Sequence, residues 1–248
     1  MDTSAITLTK VTKKYDDKLA LDGLTLEVQK GELFGLLGPN GAGKTTAINI
    51  LCGLIQPTSG LAQIFGCDVQ KDAGKVKEQI GVCIQETAIY PYMTGTENLE
   101  LFGNLHLMDK KTLKTRSIML LEKMGLKAEA KRRAGKYSGG MKRRLSLALA
   151  LIHDPEIAFL DEPTVAMDPQ SRHAVWEVIQ EQKRNGKTII LTTHAMEEAE
   201  QLCDRVGIID HGKLIALGTP KELVGKCGVR NLEEVFIQLT GRNIREEA

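Results

Sequence analysis

The 248-residue sequence predicts an α/β fold with a mixed sheet at its core, and three features predict it. The apolar run Leu33, Phe34, Leu36, Leu37 leads directly into the glycine-rich segment GPNGAGKTT, Gly38 to Thr46. A second apolar run, Ile157 to Leu160, ends in the acidic pair Asp161 and Glu162, as suits a parallel sheet whose carboxyl edge carries a site. Between the two, from about residue 86 to 154, the pattern turns helical.

Taken in order, Ile6 to Tyr15, Leu24 to Val28 and Glu32 to Leu37 read as strands. Glycines 38, 41 and 43 then let the backbone take positive φ angles and turn its N–H groups inward, while the following segment opens a helix, to about Leu54, whose N-terminus favours anions. This is the pattern of a phosphate-binding loop, in which Gly38, Pro39, Asn40, Gly41, Ala42, Gly43, Lys44, Thr45 and Thr46 surround a nucleotide's phosphates. Lys44 would reach the β and γ phosphates, and Thr45 would give its hydroxyl to Mg²⁺. Downstream, Thr94 with Glu97 forms a capping box before NLELFGNLHLM, and Asp109 can cap a second helix ending near Gly125. Ser138, Gly139 and Gly140 fall within the run YSGGMKRRLSLALALIHDP. At the end of the second apolar run, Asp161 would hold Mg²⁺ through water, and Glu162, facing the other way, could polarise an attacking water.

Strands and helices alternate again from Ile157 to about Gly218. Asp168 before Pro169 is a good helix N-cap with proline at the first helical position, and Trp176 in the helix that follows reads as core. His194 ends the run Thr188 to Thr193, at the strand-to-helix step. VGIIDHGKLIALG reads as a hairpin turning at His211 and Gly212, which makes the sheet mixed rather than purely parallel. After Pro220, Leu232, Val235, Phe236 and Leu239 line one helical face that Gly241 stops.

The order phosphate loop, Ser-Gly-Gly, apolar strand with Asp161-Glu162, then His194 resembles the ATP-binding cassette family, the nucleotide-binding subunits of ABC transporters, over nearly the whole chain. The resemblance implies the ABC ATPase fold: a mixed sheet core, an N-terminal antiparallel β subdomain and an inserted α-helical subdomain at about 86–154. It implies an ATPase domain over residues 1–220 and a short helical extension over 221–248. It implies roles too: Gln85, in IGVCIQE, as the Gln-loop residue that touches Mg²⁺ and water; His194 as the switch histidine on the γ-phosphate; and Tyr15 as the aromatic on adenine. Ser138 to Gly140 would complete the site of a second subunit, and Asp168 would sit in the loop that crosses to that subunit. The chain departs from the commonest pattern at Tyr137, where leucine is usual, at Met141, where glutamine is usual, and in the TVAM before Asp168. Met141 lacks an amide, so any contact that it makes to ATP differs in kind.

Within the family, GLLGPNGAGKTT, EPTVAMDP, TTHAMEEAEQLCDR and LEEVFIQLTGR look most like ATPase subunits of ABC-2 type exporters of drugs and antibiotics. An importer ATPase and a soluble non-transport ABC ATPase, such as an iron-sulfur assembly scaffold, stay open as alternatives. Lys and Arg (33) nearly balance Asp and Glu (32), which argues against a nucleic-acid binder driven by bulk charge. No apolar stretch approaches the roughly 18 to 20 residues that span a bilayer, and MDTSAITLTK has no secretory h-region. The expectation is therefore a peripheral subunit at the cytoplasmic face of the membrane, a homodimer when ATP is bound, docked on a separate integral-membrane permease. Five scattered cysteines, at 52, 67, 83, 203 and 227, with no CxxC pair, suggest neither a disulfide framework nor a zinc site.

Overall fold

Short apolar runs become the buried strands of the structure, a computed structural model that describes residues 4–84, 88–165 and 167–241. The elements are β1 (Ser4–Tyr15), β2 (Lys18–Gln29), β3 (Leu33–Leu37), α1 (Lys44–Leu51), β4 (Ser59–Ile64), β5 (Cys67–Asp68), α2 (Ala73–Gln79) and β6 (Ile80–Cys83). Then come α3 (Gly95–Leu105), α4 (Lys110–Lys123), α5 (Gly139–Leu151), β7 (Ile157–Asp161), α6 (Pro169–Arg184), β8 (Thr188–Thr192) and α7 (Met196–Leu202). Last are β9 (Arg205–Asp210), β10 (Lys213–Gly218), α8 (Pro220–Cys227) and α9 (Leu232–Thr240). They fall into two compact units, Met1–Lys77 with Thr188–Ala248, and Glu78–Lys187.

The first unit contains an antiparallel sheet in the order β2-β1-β4-β5 and a mixed run in the order β10-β9-β3-β8. β3 pairs in parallel with both β8 and β9, and all five of its residues are buried, as are all five of β8. Continuous apolar runs are what such doubly covered parallel strands require. β9 and β10 form the expected hairpin, with His211 and Gly212 both at positive φ. The start of β2 differs from the sequence expectation. β2 begins at Lys18 rather than Leu24, because its pairing with β1 continues through Lys14–Leu19 and Tyr15–Lys18 in a polar stretch that lacks an alternating pattern. In α9, Leu232, Val235 and Phe236 are buried but Leu239 is 38% exposed, since the helix reaches its left-handed Gly241 cap before that turn meets the core.

In the second unit β6 and β7 are parallel, with Ile80 to Cys83 opposite Ile157 to Leu160. The capping box forms as expected: the Thr94 hydroxyl accepts from Glu97 N and the Glu97 carboxylate from Thr94 N. Asp109 caps α4 through Lys111 N and Thr112 N. Trp176 is 7% exposed, a core residue of α6. α5 lies against β6 at a glycine: a Cβ on Gly81 would stand 2.0 Å from the Ala150 carbonyl oxygen and 2.8 Å from Pro155 Cγ. A second close contact follows α5, where the His153 ring stacks on His106, the C-cap of α3, with centroids 3.6 Å apart and planes 3° from parallel. His153 Nε2 lies 3.0 Å from the Ile80 carbonyl oxygen.

Two stability tests follow from these contacts. Gly81→Ala should destabilise the chain by about 1–3 kcal/mol in urea unfolding, because backbone must shift to admit the methyl. Gly74→Ala in α2, where a Cβ meets nothing within 4 Å, should be neutral or stabilising by up to about 1 kcal/mol. Burial, and then the charge of a protonated His106, push His153 down to about 4, with Arg116 lowering it further and Ile80 and Asp154 opposing. His153 therefore stays neutral in the folded chain while the unfolded chain takes up a proton below about 6.5. Thermal melts should lose about 1–2 kcal/mol between pH 6.5 and 4.5 from this group, and His153→Gln should lessen that slope.

Candidate functional site

The glycine-rich loop joins β3 to α1 in the first unit, and its backbone takes left-handed turns. Gly41 and Gly43 have φ of 78° and 111°, and Gly43, the N-cap of α1, makes no side-chain cap hydrogen bond. No side chain caps the start of α1, the positive end of the helix dipole, where an anion is favoured. Packing fixes the loop from behind. A Cβ on Gly38 would stand 2.3 Å from the Ile209 carbonyl oxygen, and one on Gly43 would stand 2.6 Å from that of Ala20. Gly212 N donates to Ala42 O at 2.9 Å, and Asp22 N to Gly212 O at 3.0 Å, so the β9–β10 turn and β2 both brace the loop.

Lys44 is 8% exposed and its ammonium folds back onto the carbonyls of Gly38 and Pro39, at 2.5 and 3.0 Å. Those carbonyls hold the charge over the loop that an anion would enter. Asn40, Gly41 and Thr45 are exposed, and Thr46 is half-buried. In the same unit Tyr15 ends β1, 43% exposed, with the Lys13 ammonium 4.9 Å from its ring centroid, so an aromatic face remains to stack on a base. His194 sits between β8 and α7 and borders a cavity of about 460 Å³ lined also by Met196, Glu197, Glu200, Asn231 and Glu233.

The second unit holds the acidic pair and the Ser-Gly-Gly segment. Asp161 ends β7 and Glu162 follows it, each 8% exposed. Glu162 has φ 50°, a left-handed conformation that costs a non-glycine residue about 1–2 kcal/mol and turns its side chain away from the strand's alternation. Ser138 is the exposed N-cap of α5, its hydroxyl accepting from Met141 N at 3.3 Å and so keeping its own proton to donate. Gly139 is exposed and Gly140 half-buried. The Tyr137 hydroxyl donates to Glu129 O at 2.7 Å and touches Gly95, anchoring this segment in a way that leucine could not. Asp168 caps α6 by accepting from Ser171 N at 3.0 Å, and the Ser171 hydrogen bonds hold its carboxyl below the usual carboxylate range. Gln85 lies outside the described residues.

One residue of this unit escaped the sequence reading. Arg143 of α5 is 4% exposed; its guanidinium donates to the carbonyls of Ile84, Asp161 and Glu162, the last at 2.8 Å. Its signal was positional: Arg143, Leu147 and Ala150 recur at helical spacing, which places a cation on the buried face of α5.

Hard oxygens of the kind that Mg²⁺ takes are present in each unit, the exposed Thr45 hydroxyl in the first and the Asp161 carboxylate in the second. Among the described residues no group of three or more His, Cys, Asp or Glu side chains could hold a metal ion.

Comparison with known proteins agrees with this chemistry. The sequence profile of the ABC transporter family matches residues 21–165. The linearmycin resistance ATP-binding protein of Bacillus subtilis (strain 168) is 43% identical over 236 residues, 95% of this chain and 75% of that protein. A doxorubicin resistance ATP-binding protein of Mycobacterium tuberculosis is 41% identical over 247 residues, 99% of this chain and 73% of its own. Among solved structures, an ATP binding subunit of an ABC transporter superposes with TM-score 0.88 at 28% identity, covering 95% of this chain and 99% of its own. A dimeric post-hydrolysis state of an ATP-binding cassette bound to ADP and Pi superposes with TM-score 0.79 at 26% identity, covering 86% of this chain and 98% of its own. The chain belongs to the ABC transporter family and is an ATP-binding, ATP-hydrolysing cassette.

Proposed function

We propose that the chain is the ATPase subunit of an exporter of small molecules, pairing head to tail with a second copy around two ATP and docking on a separate integral-membrane subunit. The observation that carries the pairing is that the chain has two helix starts fit for phosphate, at α1 and at Ser138 of α5, and one copy of each. One set would hold a nucleotide and the other would close over the nucleotide of the neighbour. Export is supported by the relatives, whose names attach ATP binding to resistance against linearmycin and doxorubicin. A separate membrane chain at the cytoplasmic face is supported by the absence, among the described residues, of any helix long and apolar enough to cross a bilayer.

In this reading the α1 N-terminus and Lys44 take the β and γ phosphates, Tyr15 stacks on adenine, and His194 hydrogen-bonds the γ-phosphate. Ser138 and the first N–H groups of α5 from the second copy meet the γ-phosphate from its other side. Glu162 accepts a proton from water as the water oxygen bonds to the γ-phosphorus and the bond to the bridging oxygen breaks, leaving ADP and phosphate. Thr45, Gln85 and Asp161 would hold Mg²⁺, which when bound neutralises phosphate charge. Asp168 serves the contact with the second copy while its carboxylate caps α6.

Glu162→Gln should bind ATP as the wild type does and hydrolyse it about 10² to 10⁴ times more slowly; turnover near normal would remove Glu162 from the role. Lys44→Ala should instead weaken ATP binding about tenfold or more in an equilibrium titration. For the wider reading, a tagged Glu162→Gln chain can be recovered with ATP from detergent-solubilised cells. A co-purifying integral membrane protein is the expected result. Soluble partners alone, from protein that still dimerises with ATP, would favour the non-transport alternative.

A further inference from the structure

We infer that Arg143 is a positioning residue for hydrolysis, which holds the backbone of Glu162 in place from α5. The inference rests on the proposed role of Glu162 as the base. A guanidinium that is 4% exposed needs partners, and both of its terminal nitrogens find carbonyls at one place, the carboxyl ends of β6 and β7. One terminal nitrogen donates to Ile84 O and the other to both Asp161 O and Glu162 O. These are the carbonyls of the residue before Gln85 and of the two acidic residues themselves, so a single planar group ties together the main chain at both acidic residues and at the end of β6.

The conformation at Glu162 shows what the tie accomplishes. At φ 50° an L-residue is strained, and such a conformation persists only when its surroundings over-determine it. Arg143 holds the carbonyls on both sides of that residue's φ and ψ bonds, Asp161 O before and Glu162 O after, which fixes the direction in which its carboxylate leaves the chain. Lysine carries a single ammonium, and glutamine a shorter neutral amide; neither reproduces a fork that spans three carbonyls. The base of the fork is equally rigid, because α5 is seated on β6 at Gly81.

The test compares Arg143→Gln and Arg143→Lys in the full chain, with and without Glu162→Gln, by steady-state ATPase and by equilibrium ATP titration. ATP affinity should stay within about threefold of wild type while kcat falls about 10- to 100-fold, with lysine recovering only part of the loss. In the Glu162→Gln background the same replacements should lower the residual rate by less than about threefold, because the group that they position is already gone. A loss in that background as large as in the wild type would overturn the inference, as would an affinity that falls in step with kcat. Near-normal kcat in both Arg143 variants would overturn it as well. Should Arg143→Gln fail to fold, Arg143→Lys keeps the charge and carries the same comparison. A Glu162→Gln chain with normal turnover is a different failure: it overturns the reading of Glu162 on which the inference stands.

Discussion

The requirement on which the rest of the structure depends is that a polyphosphate be met by main-chain N–H groups that no other partner has claimed. Such donors exist in number only where a helix starts, and they remain available only if no side chain caps them. At α1 no side chain caps the helix start, because its N-cap is a glycine at φ 111°, a conformation that side-chain-bearing caps rarely adopt. The arrangement is costly to hold in an open loop, so the loop is pressed against rigid neighbours. Ile209 O and Ala20 O approach Gly38 and Gly43 too closely for any Cβ, and Gly212 donates to Ala42. Buried strands on either side of β3 make these neighbours rigid, which is why an apolar run must come immediately before the loop.

The second unit solves the same problem differently. At α5 the N-cap is Ser138, and its hydroxyl takes up one helix donor, Met141 N. A capped start is more stable by itself but offers fewer open donors; the hydroxyl proton replaces one of them. The two starts are therefore not interchangeable. The one without a side-chain cap has the Lys44 charge beside it, and the capped one offers a hydroxyl proton in place of a main-chain donor.

How much of this could be read in the sequence depends on how local the cause is. Gly38 to Thr46, the Thr94–Glu97 capping box, the Asp109 and Asp168 caps and the β9–β10 hairpin are set by residues within a few positions of one another, and the chain spells them out. β4, β5 and α2 were not legible. β4 is the neighbour of β1 across some fifty residues, its first three positions are exposed, and no alternation marks it. The start of β2 was hidden because its first pairs, Tyr15–Lys18 and Lys14–Leu19, are exposed on both strands and show no buried face. Leu239 keeps the spacing of the face that Leu232, Val235 and Phe236 bury, but at the last turn of α9 it is 38% exposed. Among candidate site residues, the types suited to a chemical role could be picked out one by one. Their orientation could not: Glu162 has φ 50°, and its carbonyl accepts from Arg143 on another element as well as from Val165 N nearby.

Arg143 illustrates why buried polar groups are the hardest part of a site to read. In the string GGMKRRLSLALAL three basic residues stand together, and the ordinary expectation for such a cluster is a solvated surface. Only helical phase separates them: Arg143 shares a face with Leu147 and Ala150, whereas Lys142 and Arg144 are half-buried at its sides. A charge on the apolar face would be strongly destabilising unless partners waited for it, and the partners are carbonyls at strand ends, groups that every sequence has and none advertises. The consequence is mechanical as well as energetic. Ser138 and Arg143 lie on one helix, the first exposed at its N-cap and the second buried against the backbone of Glu162. In the proposed pairing, a pull on Ser138 by the ATP of a second copy would reach the backbone of Glu162 through α5 and the guanidinium. A chain with Gln85, Asp161 and Glu162 but no buried fork behind them would keep the same chemical groups and lose that connection.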